Sequence, residues 1–315
     1  GKDNLIIVIP AIKKTVAFQD DLVKKLGGIS LIQRAINKAL RVEDNKNNIY
    51  LLTDSDEIRL IAERNKINSF WNPELVLNGM IGNKFIINYL KKLQINCHYF
   101  LLLSPYVPLL EVEIILDAFQ VFKKSQSNIL KPIKKIKKNI YSKKNISLYE
   151  IPFNIQRDLL SIELNAFTIF DSSLLKNPPL TKISLQHWPV EPDLFEIESY
   201  HDWWVCEKLL NRKRILFRVI GDKKIGMGHI YRSLSLAHEI TDHEILFVCD
   251  EGNAVAVNKL AGYDYWLGIY QKEEIVKKII ELKPDLVIND ILDTSQKDIS
   301  PLKKNGIKVL NFEDL

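Results

Sequence analysis

Cysteine is scarce in this sequence: Cys97, Cys206 and Cys249 are the only three in 315 residues. An odd number without close spacing excludes a disulfide framework and a cysteine metal knuckle, so all three read as reduced core thiols of a cytoplasmic protein. Long apolar runs are missing as well. No stretch approaches the roughly 20 residues of a membrane-spanning helix, and the amino-terminal LIIVIPA is strand-like rather than the core of a signal peptide. Charge of one sign is equally lacking. The 44 basic and 39 acidic residues leave a net charge of +5. This small excess follows a general abundance of lysine and points away from a nucleic-acid partner. Internal repeats and low-complexity linkers are absent too.

What is present is a chain too long for one ordinary core, with 46% apolar residues. Short β-branched runs alternate with amphipathic stretches of helical period, the pattern of parallel strands joined by crossover helices, so the fold class is α/β. Strands are expected at Leu5 to Ala11, Ile49 to Thr53 and Tyr99 to Leu103, and shorter ones around Ile129, Leu148, Phe167 and Leu185. Helices are expected near Leu31 to Val42, Asp56 to Asn65, Asn83 to Leu93, Glu111 to Lys123 and Tyr200 to Leu210. After the charged cluster Asn211-Arg212-Lys213-Arg214 a second βα series begins. Its strands are expected at Ile215 to Ile220, Ile245 to Cys249, Leu286 to Asn289 and Lys308 to Asn311. The domains are therefore drawn as 1–212 and 213–315.

Nucleotides bind at the carboxyl ends of strands in such sheets, so the post-strand loops carry the functional signal. The loop I-P-A-I-K-K-T-V-A-F-Q-D-D-L-V-K-K-L-G-G, with T-D-S-D-E-I at 53–58, N-P-E-L at 72–75 and L-L-S-P-Y-V-P-L at 102–109, resembles the acylneuraminate cytidylyltransferase family. Q-R-D-L at 156–159, N-A-F-T-I at 165–169 and F-E-I-E-S-Y-H-D-W at 195–203 extend the resemblance over residues 4–210. It implies a nucleotide-diphospho-sugar transferase-like (GT-A/Rossmann-like) domain that joins CTP to a nonulosonic, sialic-type acid for surface glycans. The implied partners are a nucleotide and a sugar acid, with subunits paired as a homodimer through the region of the lysine run 131–144, a run that otherwise reads as a solvated hairpin.

Departures from the family pattern are concentrated in its phosphate loop, R-G-G-S-K-x-I-P-x-K-N. Ile12 stands at the family's Arg, Thr15 at its Ser and Asp21 at its phosphate-contacting Lys. Lys13 and Lys14 either take over the anion contact, beside Thr15, or are solvated loop lysines. In the segment matching L-Q-P-T-S-P-L-R, Ser104, Tyr106, Val107 and Leu110 stand at the polar positions, and Pro105 and Pro108 keep the backbone shape. The family's metal-binding D-I-D becomes Glu196-Ile197-Glu198. On a strand the two carboxylates would share a face and could hold Mg²⁺, or they are an exposed edge before the helix.

The second series opens R-V-I-G-D-K-K-I-G-M-G-H-I-Y-R-S-L-S-L-A. Gly226 and Gly228 would allow a tight turn, and the helix that follows offers N–H groups to an anion. G-x-G-H-x-x-R resembles the UDP-sugar hydrolase family of pseudaminic acid biosynthesis, relatives of GT-B glycosyltransferases, over residues 214–315. That resemblance implies a Rossmann-like GT-B half-domain, truncated here, with His229 activating water in an open cleft. His229 could instead order the glycine loop, and Arg232 could orient a phosphate or pair with an acid. Three expectations follow for the whole chain: a divergent nucleotidyltransferase, a scaffold that keeps the transferase fold, or a hydrolase or glycosyltransferase acting through the second domain.

Overall fold

The computed structural model describes residues 4–13, 18–72, 83–136, 141–144, 147–150, 161–221, 227–291 and 295–312. Two units divide the chain, Gly1–Leu210 and Asn211–Leu315.

The first unit is organised by β1 (Leu5–Pro10), where Leu5, Ile7 and Ile9 enter one apolar cluster while Ile6 and Val8 enter another. A strand buried on both faces belongs at the centre of a parallel sheet, and its unbroken apolar run follows from that position. A tight hairpin follows, β2 (Lys25–Leu26) and β3 (Ile29–Ser30). Gly27 and Gly28 supply the positive φ angles, +59° and +84°, that its turn requires. Helix α1 (Leu31–Val42) begins where the Ser30 hydroxyl accepts the Gln33 N–H at 3.2 Å. It turns Leu31, Ile32, Ala35, Ile36 and Ala39 inward.

β4 (Ile49–Thr53), α2 (Asp56–Asn65), β5 (Asn68–Trp71), α3 (Asn83–Lys92), β6 (Tyr99–Leu103) and α4 (Val112–Lys124) continue the α/β alternation. The lysine-rich region forms β7 (Ile129–Lys135) and a separate two-stranded hairpin of β8 (Tyr141–Lys144) and β9 (Ser147–Glu150). β10 (Ser161–Glu163), β11 (Phe167–Asp171), β12 (Leu185–Pro189) and α5 (Tyr200–Leu210) complete the unit. The main sheet runs β10-β7-β11-β6-β1-β4-β5, with β12 beside β7. Its β6-β1-β4-β5 half is parallel, and β11 enters antiparallel between β6 and β7.

The second unit holds β13 (Arg214–Val219), α6 (Gly228–Glu239), β14 (Glu244–Asp250), α7 (Ala254–Leu260), β15 (Trp266–Tyr270), α8 (Ile275–Glu281), β16 (Leu286–Asp290), α9 (Gln296–Lys304) and β17 (Lys308–Asn311). All strand pairs are parallel, in the order β15-β14-β13-β16-β17. The order reverses between β13 and β16, the switch point at which open α/β sheets take ligands. Phe217, Val219, Phe247 and Ile288 pack one face, Leu216, Val248 and Val287 the other. Among the described residues no helix is long and apolar enough to cross a membrane. The three cysteines are free and buried.

One local expectation is corrected. Residues 194–198 form no strand, so Glu196 and Glu198 sit on irregular backbone before α5, with Ile197 between them buried against Trp203 and Cys206.

Candidate functional site

In the first unit the loop after β1 turns its lysine inward to acids. The Lys13 amide donates to Asp54 Oδ1 at 2.9 Å, and its ammonium meets Glu57 at 2.6 Å and Asp20 at 3.4 Å. The hydrogen bond to Glu57 is the largest influence raising its pKa, so this cation is already matched. Lys14 and Thr15 lie outside the described residues.

Asp21 is fully buried and accepts the Tyr106 hydroxyl at 3.2 Å. Burial, reinforced by the charge of Asp21, drives the Tyr106 hydroxyl well above its ordinary pKa. Two residues 85 positions apart in the sequence are thereby joined in one buried contact. The half-buried Ser104 spends its hydroxyl accepting the Tyr106 N–H at 3.2 Å, which shapes the loop between the two retained prolines.

Glu196 Oε1 accepts the Asn165 N–H at 2.9 Å. Burial, opposed by that hydrogen bond and aided by the charge of Glu198, lifts its carboxyl above the usual range. Glu198 is exposed, and its N–H donates to Asp202 at 2.8 Å. Among the described residues no group of three or more His, Cys, Asp or Glu side chains is placed to hold a metal ion.

The second unit gathers polar side chains at the end of β16. His229, in the first turn of α6, places Nδ1 2.7 Å from Asp290 Oδ1. Ser233 donates to Oδ2 at 2.8 Å, Arg232 donates to Oδ2 through Nε at 3.2 Å, and a second Arg232 N–H reaches Oδ1. The guanidinium lies 5.0 Å from the centre of the Phe312 ring. Asp290 is fully buried. Burial alone would raise its carboxyl, but the donors of Arg232, His229 and Ser233 outweigh it and hold the group below the ordinary carboxylate range.

An ionised Asp290 can only accept, which assigns the Nδ1 proton to His229. A second approach to Nδ1, from Arg232 at 3.2 Å, is longer and weaker. The arrangement is a base held by a carboxylate, the pairing that orients histidine for proton transfer.

His229 is turned inward, a correction to its expected place lining an open cleft, yet 9% of its side chain remains accessible. Gly226 lies outside the described residues. Gly228 opens α6 without a positive φ, and a Cβ added there would meet nothing within 4 Å. The bare backbone of Gly228 leaves open space at the start of α6.

The sequence reading missed Asp290 and Ser233. The polar Asn289-Asp290 pair closing the apolar run Leu286–Ile288 was the available signal.

Comparisons with known proteins agree with a mixed α/β fold dominated by parallel strands. The chain is similar to a CMP:2-keto-3-deoxy-manno-octonic acid synthetase complexed with CTP, with a TM-score of 0.51 and 11% identity, over 66% of this chain and 98% of that one. A 4-diphosphocytidyl-2C-methyl-D-erythritol synthase from Anaerococcus prevotii DSM 20548 gives a TM-score of 0.48 at 14% identity, covering 67% of this chain and 99% of that one. Over 102 residues, 32% of this chain, the sequence is 31% identical to UDP-2,4-diacetamido-2,4,6-trideoxy-beta-L-altropyranose hydrolase of Campylobacter jejuni subsp. jejuni serotype O:2. The chain spans 36% of that relative's length. No protein-family model matches the chain.

Proposed function

We propose that the chain acts in sugar-nucleotide metabolism and that its chemistry is centred on His229, as a hydrolase or glycosyltransferase of nucleotide-linked sugars. The His229–Asp290 contact carries this reading. With Nδ1–H held by Asp290, Nε2 takes the proton of a water or sugar hydroxyl as its oxygen attacks the nucleotide sugar and the nucleoside diphosphate leaves. The imidazolium so formed is stabilised by the buried carboxylate. Room beside Gly228 and the N–H groups opening α6 suit a phosphate. The identity to a UDP-sugar hydrolase over 102 residues supports the substrate class. On this reading the second unit is the first lobe of a two-lobed GT-B enzyme. UDP release from a UDP-linked diacetamido sugar tests it: His229→Ala is expected to abolish release while melting normally, and retained release overturns the assignment.

The synthetase-like fold of the first unit supports a second reading, in which that unit binds a nucleoside triphosphate and a sugar acid. Mg²⁺ would then be held by Glu196 and Glu198 together with phosphate oxygens, and would neutralise charge on the phosphates. Because Lys13 is matched by Glu57 and Asp20, pyrophosphate release from CTP with nonulosonic acids is expected to be slow or absent. Turnover of about 1 s⁻¹ would restore a fully active transferase. The same reading pairs subunits through the lysine-rich hairpin, and a monomer by light scattering counts against it.

A further inference from the structure

The face of the second sheet opposite His229 carries a polar cluster that this chemistry does not use. Arg218 on β13 and Asn289 on β16 are register partners across the switch point, and Asn289 is in turn the partner of Asn311 on β17. Arg218 and Asn289 are buried, 7% and 1% exposed. The Asn289 amide donates to Asn311 Oδ1 at 2.9 Å, and its own Oδ1 is buried without a hydrogen-bond donor among the described residues. Arg218 meets Asp298 of α9 at 2.9 Å through one nitrogen, and its remaining guanidinium nitrogens have no partner among the described residues.

A buried acceptor without a donor is an unfinished hydrogen bond, and such groups in folded proteins call for a missing partner. Beside it stands a guanidinium whose charge Asp298 already balances, so the pair does not ask for a second anion. An acceptor next to a charge-balanced donor is the complement of a neutral amide, which presents N–H and C=O together.

We propose that Asn289 and Arg218 form a specificity site for the N-acyl group of an amino sugar, Asn289 Oδ1 accepting its N–H and Arg218 donating to its carbonyl. The inference rests on the sugar-nucleotide reading above. It adds the residues that choose among such sugars. Asn289 directly precedes Asp290, so alternation along β16 sets the recognition site and the base on opposite faces of the same strand end.

Titration calorimetry of the full chain with UDP-N-acetylglucosamine and UDP-glucose isolates the acyl group. The N-acetyl sugar is expected to bind about tenfold more tightly or better, because a site built for a polar group rejects the ligand lacking it. Asn289→Leu is expected to bring UDP-N-acetylglucosamine down to the level of UDP-glucose. That change removes a buried acceptor without a donor but also the hydrogen bond to Asn311, so melting is measured beside binding. Should it fail to fold, Arg218→Lys, which keeps the charge beside Asp298 but loses the planar fork, reads out the same preference. Equal binding of both sugars by the wild type overturns the proposal and leaves the His229 chemistry standing. So does a preference that survives these substitutions. Binding of neither sugar overturns the specificity site, while the UDP-release assay separately decides the His229 chemistry.

Discussion

His229 and Asp290 lie 61 residues apart in sequence and meet at 2.7 Å, ring nitrogen to carboxylate oxygen. The contact exists because the first turn of α6 packs beside the end of β16, where alternation turns Asp290 toward the helix. Asp290→Asn would offer an amide that can donate to Nδ1 and so favour the wrong tautomer. On the proposed hydrolase reading, hydrolysis of a nucleotide sugar is expected to fall about 10²- to 10⁴-fold in kcat with a smaller change in KM. Steady-state UDP release measures it, and an unchanged kcat rejects the orienting role.

Acid stability of the second unit depends on the same carboxylate. Its native pKa lies below the unfolded value of about 3.9, so its contribution is present above that pH and is lost as pH falls through the native pKa. Removing one of the donors, as in Ser233→Ala, raises the native pKa and is expected to shift acid unfolding to higher pH. Circular dichroism over an acid titration checks the direction, and a shift to lower pH would reverse the argument.

Lys38 on α1 is pushed down to about 8 by burial first and by Arg34 second, and its ammonium donates to the Val107 carbonyl at 3.2 Å. The unfolded chain holds this proton up to about pH 10.4, so wild-type stability is expected to climb as pH rises from 8 toward that value. Lys38→Met is expected to stabilise the first unit at pH 7 by roughly 1–3 kcal/mol, the scale of a shift of this size. Thermal melting across pH 7 to about 10 tests both, since the advantage of Lys38→Met should shrink as the wild-type amine loses its charge.

Family resemblance suggests that Asp21→Lys restores a phosphate-binding cation and raises activity. The structure reverses that expectation. Position 21 is fully buried against the Tyr106 hydroxyl, where a lysine would place an unmatched charge. The substitution is expected to cost about 3 kcal/mol or more without gaining pyrophosphate release. Melting and a pyrophosphate assay on one preparation separate the outcomes.

Elements with strong local signals were legible in the sequence. Ser30 and Ser55 cap α1 and α2 by side-chain hydrogen bonds, and both helices span the expected Leu31–Val42 and Asp56–Asn65. β5 was not foreseen because Asn68-Ser69-Phe70-Trp71 lacks an apolar run, and β15 because Gly268 interrupts Trp266–Tyr270. At the site, the glycine motif singled out His229 and Arg232. Their common acceptor Asp290 comes from a distant strand, and no local spacing announces a pairing made by strand order. The same holds for Asp21 and Tyr106, each of which looked like a separate loss until the fold joined them.

The last two residues of β16 give that strand a burden beyond packing. Asn289 and Asp290 are chain neighbours whose side chains serve opposite layers, so the phase of a single strand decides which layer receives the carboxylate and which the amide. A slip of one residue would exchange the two while leaving a hydrogen-bonded ladder in place. Valine and isoleucine at 287 and 288, anchored in two different apolar clusters, keep that phase. Greasy packing thus acts here as the timing mark for polar chemistry.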